Sequence, residues 1–429
     1  MSKGRIPVTI LSGNLGAGKT TTLNHLLSQS NDRDIAVLVN DMGTINVDAE
    51  LIQDGTELTA ENGVAELSNG CICCELQDDL RTEVSRLARE WEFDTLVVES
   101  SGISEPAPVA RLFTTESRAA ARYDVDTTVT LVSARQFRDF FDGDSPVQRT
   151  ETEDGETRPL SDLVIEQIEF CDVLVLNKCD LVDEEELDEI EATLRALQPR
   201  AELIRTEHGQ ISPDAVLQRG LFDRDAVSDS AGWKRAMEHA GEHTEGGNGR
   251  EHDHSHEEGD YNHDHSHDDH RSDTHSHAHR HPEETYGVSS VAYRRRRPFH
   301  PKRLSDFFES LPDGIIRAKG TFWLAGQEWV MEYGQAGSSA RVETAGRWIA
   351  SLPKIDQKLY RDNRSDLDWD DEWGDRETKL VFIGTDLDEE TILARLDDCL
   401  LTDEEMDTEW HEFENPFPQS EDGLLTFGE

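Results

Sequence analysis

The chain has 429 residues, 35% of them hydrophobic, which is enough apolar material for two conventional domains of roughly 100–200 residues each and excludes one small module. Its 42 basic and 91 acidic residues leave a formal charge of −49, so a nucleic-acid backbone or an anionic membrane surface is repelled and generic nucleic-acid binding is excluded. The acid excess is spread along the chain, and 9 lysines stand against 33 arginines, the pattern of a protein kept soluble in concentrated salt; a halophile is expected.

Residues 1–7 lead straight into an apolar strand with no signal-type segment, and no apolar run nears the ~18 residues of a membrane span. Three of the six cysteines fall within four residues rather than in a disulfide framework, which points to metal or redox chemistry in a reducing compartment and to a cytoplasmic protein without a membrane partner.

In chain order, the pattern predicts a strand over 6–11, a helix from 19 to about 30 and a strand over 35–40. Between the first two lies Gly13-Asn14-Leu15-Gly16-Ala17-Gly18-Lys19-Thr20, the GxxxxGK[ST] phosphate-binding pattern in its strand-to-helix context. Glycines 13, 16 and 18 with Asn14 and Ala17 let backbone amides turn toward phosphate oxygens, and the helix N-terminus with Thr21 adds to that cradle. Lys19 neutralises the terminal phosphates, and the Thr20 hydroxyl is a Mg²⁺ ligand. A glycine-rich turn that binds nothing is the plain alternative.

Cys71, Cys73 and Cys74 follow, just before a helix predicted from about 75 to 91. Soft sulfur selects Zn²⁺, Cu⁺ or a related ion, and three ligands from so short a segment leave a fourth position for water, a carboxylate or a receiving protein. A redox pair or plain buried thiols are the other readings.

The strand over 95–98 delivers Glu99, then Ser100-Ser101-Gly102, at its carboxyl end. A carboxylate there holds Mg²⁺ through water or orients the attacking water, and the Gly102 amide senses the γ-phosphate; a serine pair capping a helix beside an incidental acid is the bland reading. Strands are expected over 127–132, 173–176 and 201–204, with helices over 160–170 and 184–197. Asn177-Lys178-Cys179-Asp180 closes the 173–176 strand. Asp180 would accept from guanine, Lys178 cover the base and Asn177 brace the loop, unless Asp180 only caps the following helix. Alternating strands and helices define an α/β fold, a doubly wound, mostly parallel P-loop NTPase sheet over 1–225.

Residues 226–286 lose apolar periodicity and are expected to be a disordered insert. Thirteen of the 17 histidines lie there. They form alternating runs at His252, His254 and His256, at His263, His265 and His267, and at His275, His277, His279 and His281. Neutral imidazoles so spaced coordinate Zn²⁺, Ni²⁺, Co²⁺ or Cu²⁺ weakly and exchangeably; a solvated linker that chelates adventitiously is the alternative. Beyond it, β-like segments over 288–293, 320–324, 329–333 and 379–383, with helices over 301–311 and 388–400, predict a smaller α+β C-terminal domain over 287–402 and a loose acidic tail over 403–429.

These motifs resemble the CobW-type GTPases, relatives of the nickel-insertion GTPases for hydrogenase and urease. The resemblance runs through residues 11–21, Asn40-Asp41-Met42-Gly43, 67–74, 99–102 and 177–180, then Arg297-Pro298-Phe299-His300-Pro301, residues 319–323 and Trp373-Gly374-Asp375-Arg376. It implies a GTP-hydrolysing metallochaperone in which GTP and Mg²⁺ control metal capture and release at the Cys-x-Cys-Cys loop, with Zn²⁺ first and Co²⁺ second. It also implies a client metalloprotein or metal-insertion enzyme as partner; a homo-oligomer is left open. The resemblance implies Asp41 as the carboxylate at Mg²⁺ or the transferred metal, but the family's Asn-Glu-Phe-Gly-Glu is here Asn40-Asp41-Met42-Gly43-Thr44, a departure that counts against that role because Asp41 is shorter in reach and Thr44 removes an acid. A nucleotide-gated metal store is the alternative function, and an adenine-preferring kinase or ATPase a third.

Overall fold

The computed structural model describes residues 5–30, 33–39, 64–66, 84, 86–89, 91–114, 121–141, 149–151, 157–223, 231, 234, 287–364, 367–421 and 423–427. The first sheet is built from β1 (Ile6–Gly13), β2 (Ile35–Val39), β3 (Val64–Glu66), β4 (Thr95–Glu99), β5 (Tyr123–Ser133), β8 (Val173–Asn177) and β9 (Glu202–Arg205). Its strand order is β3-β2-β4-β1-β5-β8-β9 and every neighbouring pair is parallel. β4 and β8 are buried at all positions, because helices cover both faces of a parallel sheet and leave no face for polar residues.

Helices α1 (Lys19–Gln29), α2 (Pro106–Thr114), α3 (Ala134–Phe141), α4 (Leu160–Glu169) and α5 (Glu184–Leu197) supply that cover, and a short hairpin of β6 (Arg149–Glu151) and β7 (Thr157–Pro159) leads into α4. Strand β3, helices α2 and α3 and the hairpin are not among the elements read from the sequence: the strands are three residues each, and the helices, although Phe137, Phe140 and Phe141 show helical spacing in α3, are only nine and eight residues long. In such parallel sheets the carboxyl ends of the strands form the ligand edge, and here the P-loop, Glu99, Ser133, Asn177 and Thr206 all lie at that edge.

The second sheet is antiparallel throughout, in the order β10-β14-β11-β12-β13-β15. Its strands are β10 (Val288–Arg295), β11 (Ile315–Phe322), β12 (Trp329–Ala336), β13 (Ser339–Arg347), β14 (Thr378–Thr385) and β15 (Leu424–Phe427). Helices α6 (Pro301–Glu309) and α7 (Glu389–Cys399) pack on one face, a core that includes Leu304, Phe308, Phe322, Tyr333, Leu380, Phe382 and Leu396. The motif residues of this domain are structural: Trp323 packs on Trp373 and Trp410, and the Asp375 carboxylate accepts from the Ile349 and Ala350 amides at 2.8 Å each.

The expected loose tail is corrected. Thr402 and Glu405 form a capping box on a short helix, β15 pairs with β13, and Phe417 and Phe427 are buried in the second core. The scattered aromatics that made the segment look featureless are its anchors, and their burial outweighs the ordering cost of an acidic stretch.

The opposite face of the second sheet rests on the first domain. Ala336, Val381 and Ile383 share one apolar core with Val164, Ile165 and Ile168 of α4 and Leu187, Ile190 and Leu194 of α5. β14 is therefore apolar on both faces, Leu380 and Phe382 toward its own helices and Val381 and Ile383 toward α4 and α5. A buried ion pair joins the two units: Arg317 on β11 grips Glu169 on α4 at 2.9 and 3.1 Å, their side chains 4% and 10% exposed. Ser161 adds a hydroxyl bond to the Ala336 carbonyl at 2.9 Å.

Removing one member of a buried pair strands the other charge, so Glu169→Ala is expected to cost about 3–5 kcal/mol, whereas Glu169→Leu with Arg317→Met costs far less. Urea unfolding of the three chains measures this; equal losses in the single and double variants would show that the pair is not isolated from water.

Candidate nucleotide site

The phosphate loop is shaped by backbone that only glycine adopts readily. Gly13 has φ +138°, and a Cβ there would lie 2.4 Å from the Leu131 carbonyl oxygen on β5; Gly18, at φ +107°, opens α1 and would meet the Asn177 amide nitrogen at 2.4 Å. Helix α1 has no acid in its first turn, which leaves its positive end to an anion. The buried Lys19 ammonium donates to the carbonyls of Gly13 (2.8 Å) and Asn14 (3.3 Å), which holds the charge at the lip of the loop.

Thr20 Oγ1 donates to Glu99 Oε1 at 3.1 Å, so the first turn of α1 and the end of β4 bring a hydroxyl and a carboxylate to one point. Hard oxygen donors at the mouth of a phosphate loop fit Mg²⁺, and Glu99 is 3% exposed, a burial that favours an ionised carboxylate only beside positive charge. Gly102 packs flat on the loop: a Cβ there would lie 2.7 Å from the Leu15 nitrogen.

Asn177 joins three loops. Its Nδ2 donates to the Ala17 carbonyl at 2.8 Å, and its Oδ1 accepts from the Gly209 amide at 2.9 Å. Lys178 follows in left-handed backbone at φ 62°, and Asp180 is exposed in the next turn, its carboxylate without a hydrogen bond or ion pair among the described residues. Gly16 and Thr21 sit on the same cradle, Gly16 against the Gln136 side chain and Thr21 exposed on α1.

The structure adds residues that the sequence reading missed. The loop after β9 folds back through a Thr206 hydroxyl bond to the Gln210 carbonyl at 2.7 Å, with His208 and Gly209 both at positive φ and Gly209 against Thr22. A glycine just beyond a strand of the same sheet was the available signal. Gln136 of α3 accepts from Asn14 Nδ2 at 3.2 Å and donates to the Leu15 carbonyl at 3.1 Å, and Gln167 of α4 donates to the Ser104 carbonyl at 3.0 Å. Nothing in a lone glutamine marks it as a loop brace.

Asp41, Cys71, Cys73, Cys74 and the ten histidines at 252, 254, 256, 263, 265, 267, 275, 277, 279 and 281 lie outside the described residues. Among the described residues no group of three metal-ligating side chains gathers, and no helix is long and apolar enough to cross a membrane. Cys171 is buried, and burial followed by the nearby Asp172 charge pushes its thiol well above the ordinary range, as for an inert core cysteine.

A parallel sheet that brings a GxxxxGKT loop, a strand-end carboxylate and an NKxD loop to one edge defines a P-loop nucleotide-binding protein. Residues 7–205 match the model of the CobW/HypB/UreG nucleotide-binding domain, and residues 288–400 match that of the cobalamin synthesis protein cobW C-terminal domain. The zinc-regulated GTPase metalloprotein activator 1 of Dictyostelium discoideum is 35% identical over 433 residues, covering 94% of this chain and 81% of its own. The zinc chaperone YjiA of Escherichia coli is 26% identical over 402 residues, covering 91% of this chain and 97% of its own. The crystal structure of Zn(II)-bound YjiA GTPase from E. coli aligns with 93% of this chain and 100% of its own at 21% identity and a TM-score of 0.39. The chain belongs to the CobW/HypB/UreG family, in its two-domain form with a CobW C-terminal domain.

Asn177→Ala removes the bonds to Ala17 and Gly209 together. At about 1 kcal/mol or more for each buried bond, with two peptide groups left unpartnered, the thermal midpoint is expected to fall by a few degrees, and GTP affinity roughly 10–100-fold at a temperature where the variant stays folded, read by calorimetry beside a thermal melt.

Proposed function

We propose that the protein is a Mg²⁺-dependent GTPase metallochaperone that captures Zn²⁺ first, and Co²⁺ second, and passes it to a client metalloprotein under nucleotide control. The observation that carries the reading is the meeting of Lys19, the Thr20–Glu99 pair and the Asn177 brace at one sheet edge, in a chain that also bears Cys71, Cys73 and Cys74. The relatives, a zinc-regulated GTPase metalloprotein activator and a zinc chaperone, support the cargo. We further propose a cytoplasmic, salt-adapted protein, with residues 1–225 as the nucleotide unit and 226–286 as a histidine-rich collector, in keeping with the −49 charge.

In this reading the loop amides and Lys19 take up the charge that develops on the γ-phosphate as water attacks it. Bound Mg²⁺ would neutralise phosphate oxygens, with Thr20 and Glu99 as its holders on this chain. Glu99 also orients the attacking water, Gly102 reads the γ-phosphate through its amide, and Asp180 and Lys178 select guanine. Segment 40–44, with Asp41, carries the nucleotide state to the cysteines, and the histidine runs supply weak, exchangeable sites.

Three experiments test this. With GTP and ATP at equal concentration, GTP is expected to occupy the site; occupancy by ATP would favour the kinase or ATPase alternative. After Zn²⁺ loading, GTP or a non-hydrolysable analogue should change the rate of release to a chelator, and Cys71→Ser, Cys73→Ser or Cys74→Ser should abolish that response. Deleting 239–281 should lower metal stoichiometry while GTP affinity holds; release indifferent to nucleotide would leave a metal store.

A further inference from the structure

Helix α4 touches both the nucleotide edge and the second domain. On one side Gln167, 1% exposed, donates from Nε2 to the Ser104 carbonyl at 3.0 Å and the Gly102 carbonyl at 3.5 Å, and its own carbonyl accepts from Thr130 at 2.9 Å. These bonds reach the loop whose Gly102 lies flat on Leu15 of the phosphate loop. On the other side Glu169 is held by Arg317 at 2.9 Å, and Arg341 lies 3.2 Å from Glu166 and 3.6 Å from Asp162.

Arg158, at the head of α4, links the two sides. Its guanidinium donates to Glu105 at 2.7 Å and to Glu166 at 2.6 Å. Glu166 is therefore shared between Arg158 of the first domain and Arg341 of the second. Burial opposes charge on Glu166, but Arg158, then Arg341 and Arg317, outweigh it and hold its carboxyl below the usual range; at Glu105, burial and then the Glu166 charge hold the carboxyl above it. A half-open cleft of about 650 Å³, lined among others by Phe140, Phe141, Gln335, Gly337 and Ser338, borders the junction beside the β12–β13 turn that precedes Arg341, and the Gly337 amide ties that turn to the Ile316 carbonyl at 3.0 Å.

We propose that Gln167 and Arg158 are positioning residues for the Gly102–Glu105 loop, and that Arg341, through the shared Glu166, makes the placement of the C-terminal domain part of how the site tells GTP from GDP. The proposal rests on the reading that the Gly102 amide senses the γ-phosphate. A triphosphate meets the Gly102 amide in the place that its two tethers, Gln167 on the backbone and Arg158 on Glu105, hold against the phosphate loop. Because coupling between sites is reciprocal, a client that moves Arg341 changes nucleotide preference, and nucleotide changes the grip of Arg341 on α4.

The test measures, on the full chain with Mg²⁺, the affinity ratio of a non-hydrolysable GTP analogue to GDP. Gln167→Met keeps the volume and removes both donated bonds; the ratio is expected to fall about tenfold with GDP affinity held within about twofold. Arg341→Met, which touches no nucleotide, should move the ratio about threefold, Arg341→Lys should restore part of it, and the Gln167→Met/Arg341→Met double variant should be less than additive. Should Gln167→Met fail to fold, the Arg341 pair carries the test alone. Equal loss of both nucleotides, or an unchanged ratio in folded variants, overturns the proposal. Gly102→Ala separates the two layers: a collapsed ratio there with unmoved Gln167 and Arg341 variants sinks the positioning proposal alone, whereas an unmoved ratio in Gly102→Ala sinks the sensing reading and the proposal with it.

Discussion

The Asn177 side chain is the constraint on which the site depends. One amide group saturates the Ala17 carbonyl inside the phosphate loop and the Gly209 amide in the loop after β9, while its own backbone ends β8. Buried peptide groups that lack partners are costly, so the three loops adopt their places together or not at all. The absence of a Cβ at Gly18 is the other half of that arrangement, because the Asn177 amide occupies the space a side chain would need. The motif glycine and the motif asparagine, more than 150 residues apart, thus answer to one steric fact.

A second consequence follows from where α4 lies. In a parallel sheet each crossover helix has one face on the sheet and one toward solvent, but here the outer face of α4 is taken by the second domain through Arg317, Arg341 and Ala336. A helix clamped on both sides has little freedom of its own. What holds Glu166 and Glu169 on the outside therefore bears on Gln167 and Arg158, and through them on the loop beside the phosphates. The apolar patch of Ala336, Val381 and Ile383 gives the contact its area, and the arginines give it its register.

Much of the α/β framework was legible in the sequence because a parallel sheet buried on both faces writes itself as short continuous apolar runs, as at Val173–Asn177. The phosphate loop and the NKxD segment were legible for a different reason: their chemistry is local, each needing residues of fixed type at fixed spacing. The second domain was legible only in part. β13 and β15 are short of apolar alternation, and β15 is a strand because β13 offers it an open edge and Phe427 a core to enter.

The sequence by itself determined the fold class, the phosphate loop and the NKxD loop, since these follow from backbone constraints and spacing within a few residues. Only the tertiary structure decided that Gln136 and Gln167 brace the loops, that the loop after β9 closes on Asn177, that the tail is packed, and that Arg317 and Arg341 tie the second domain to α4. Each of these depends on which side chains meet across 30 or more residues of chain, and a single glutamine or arginine carries no mark of the partner that the packing of helices on sheets will set against it.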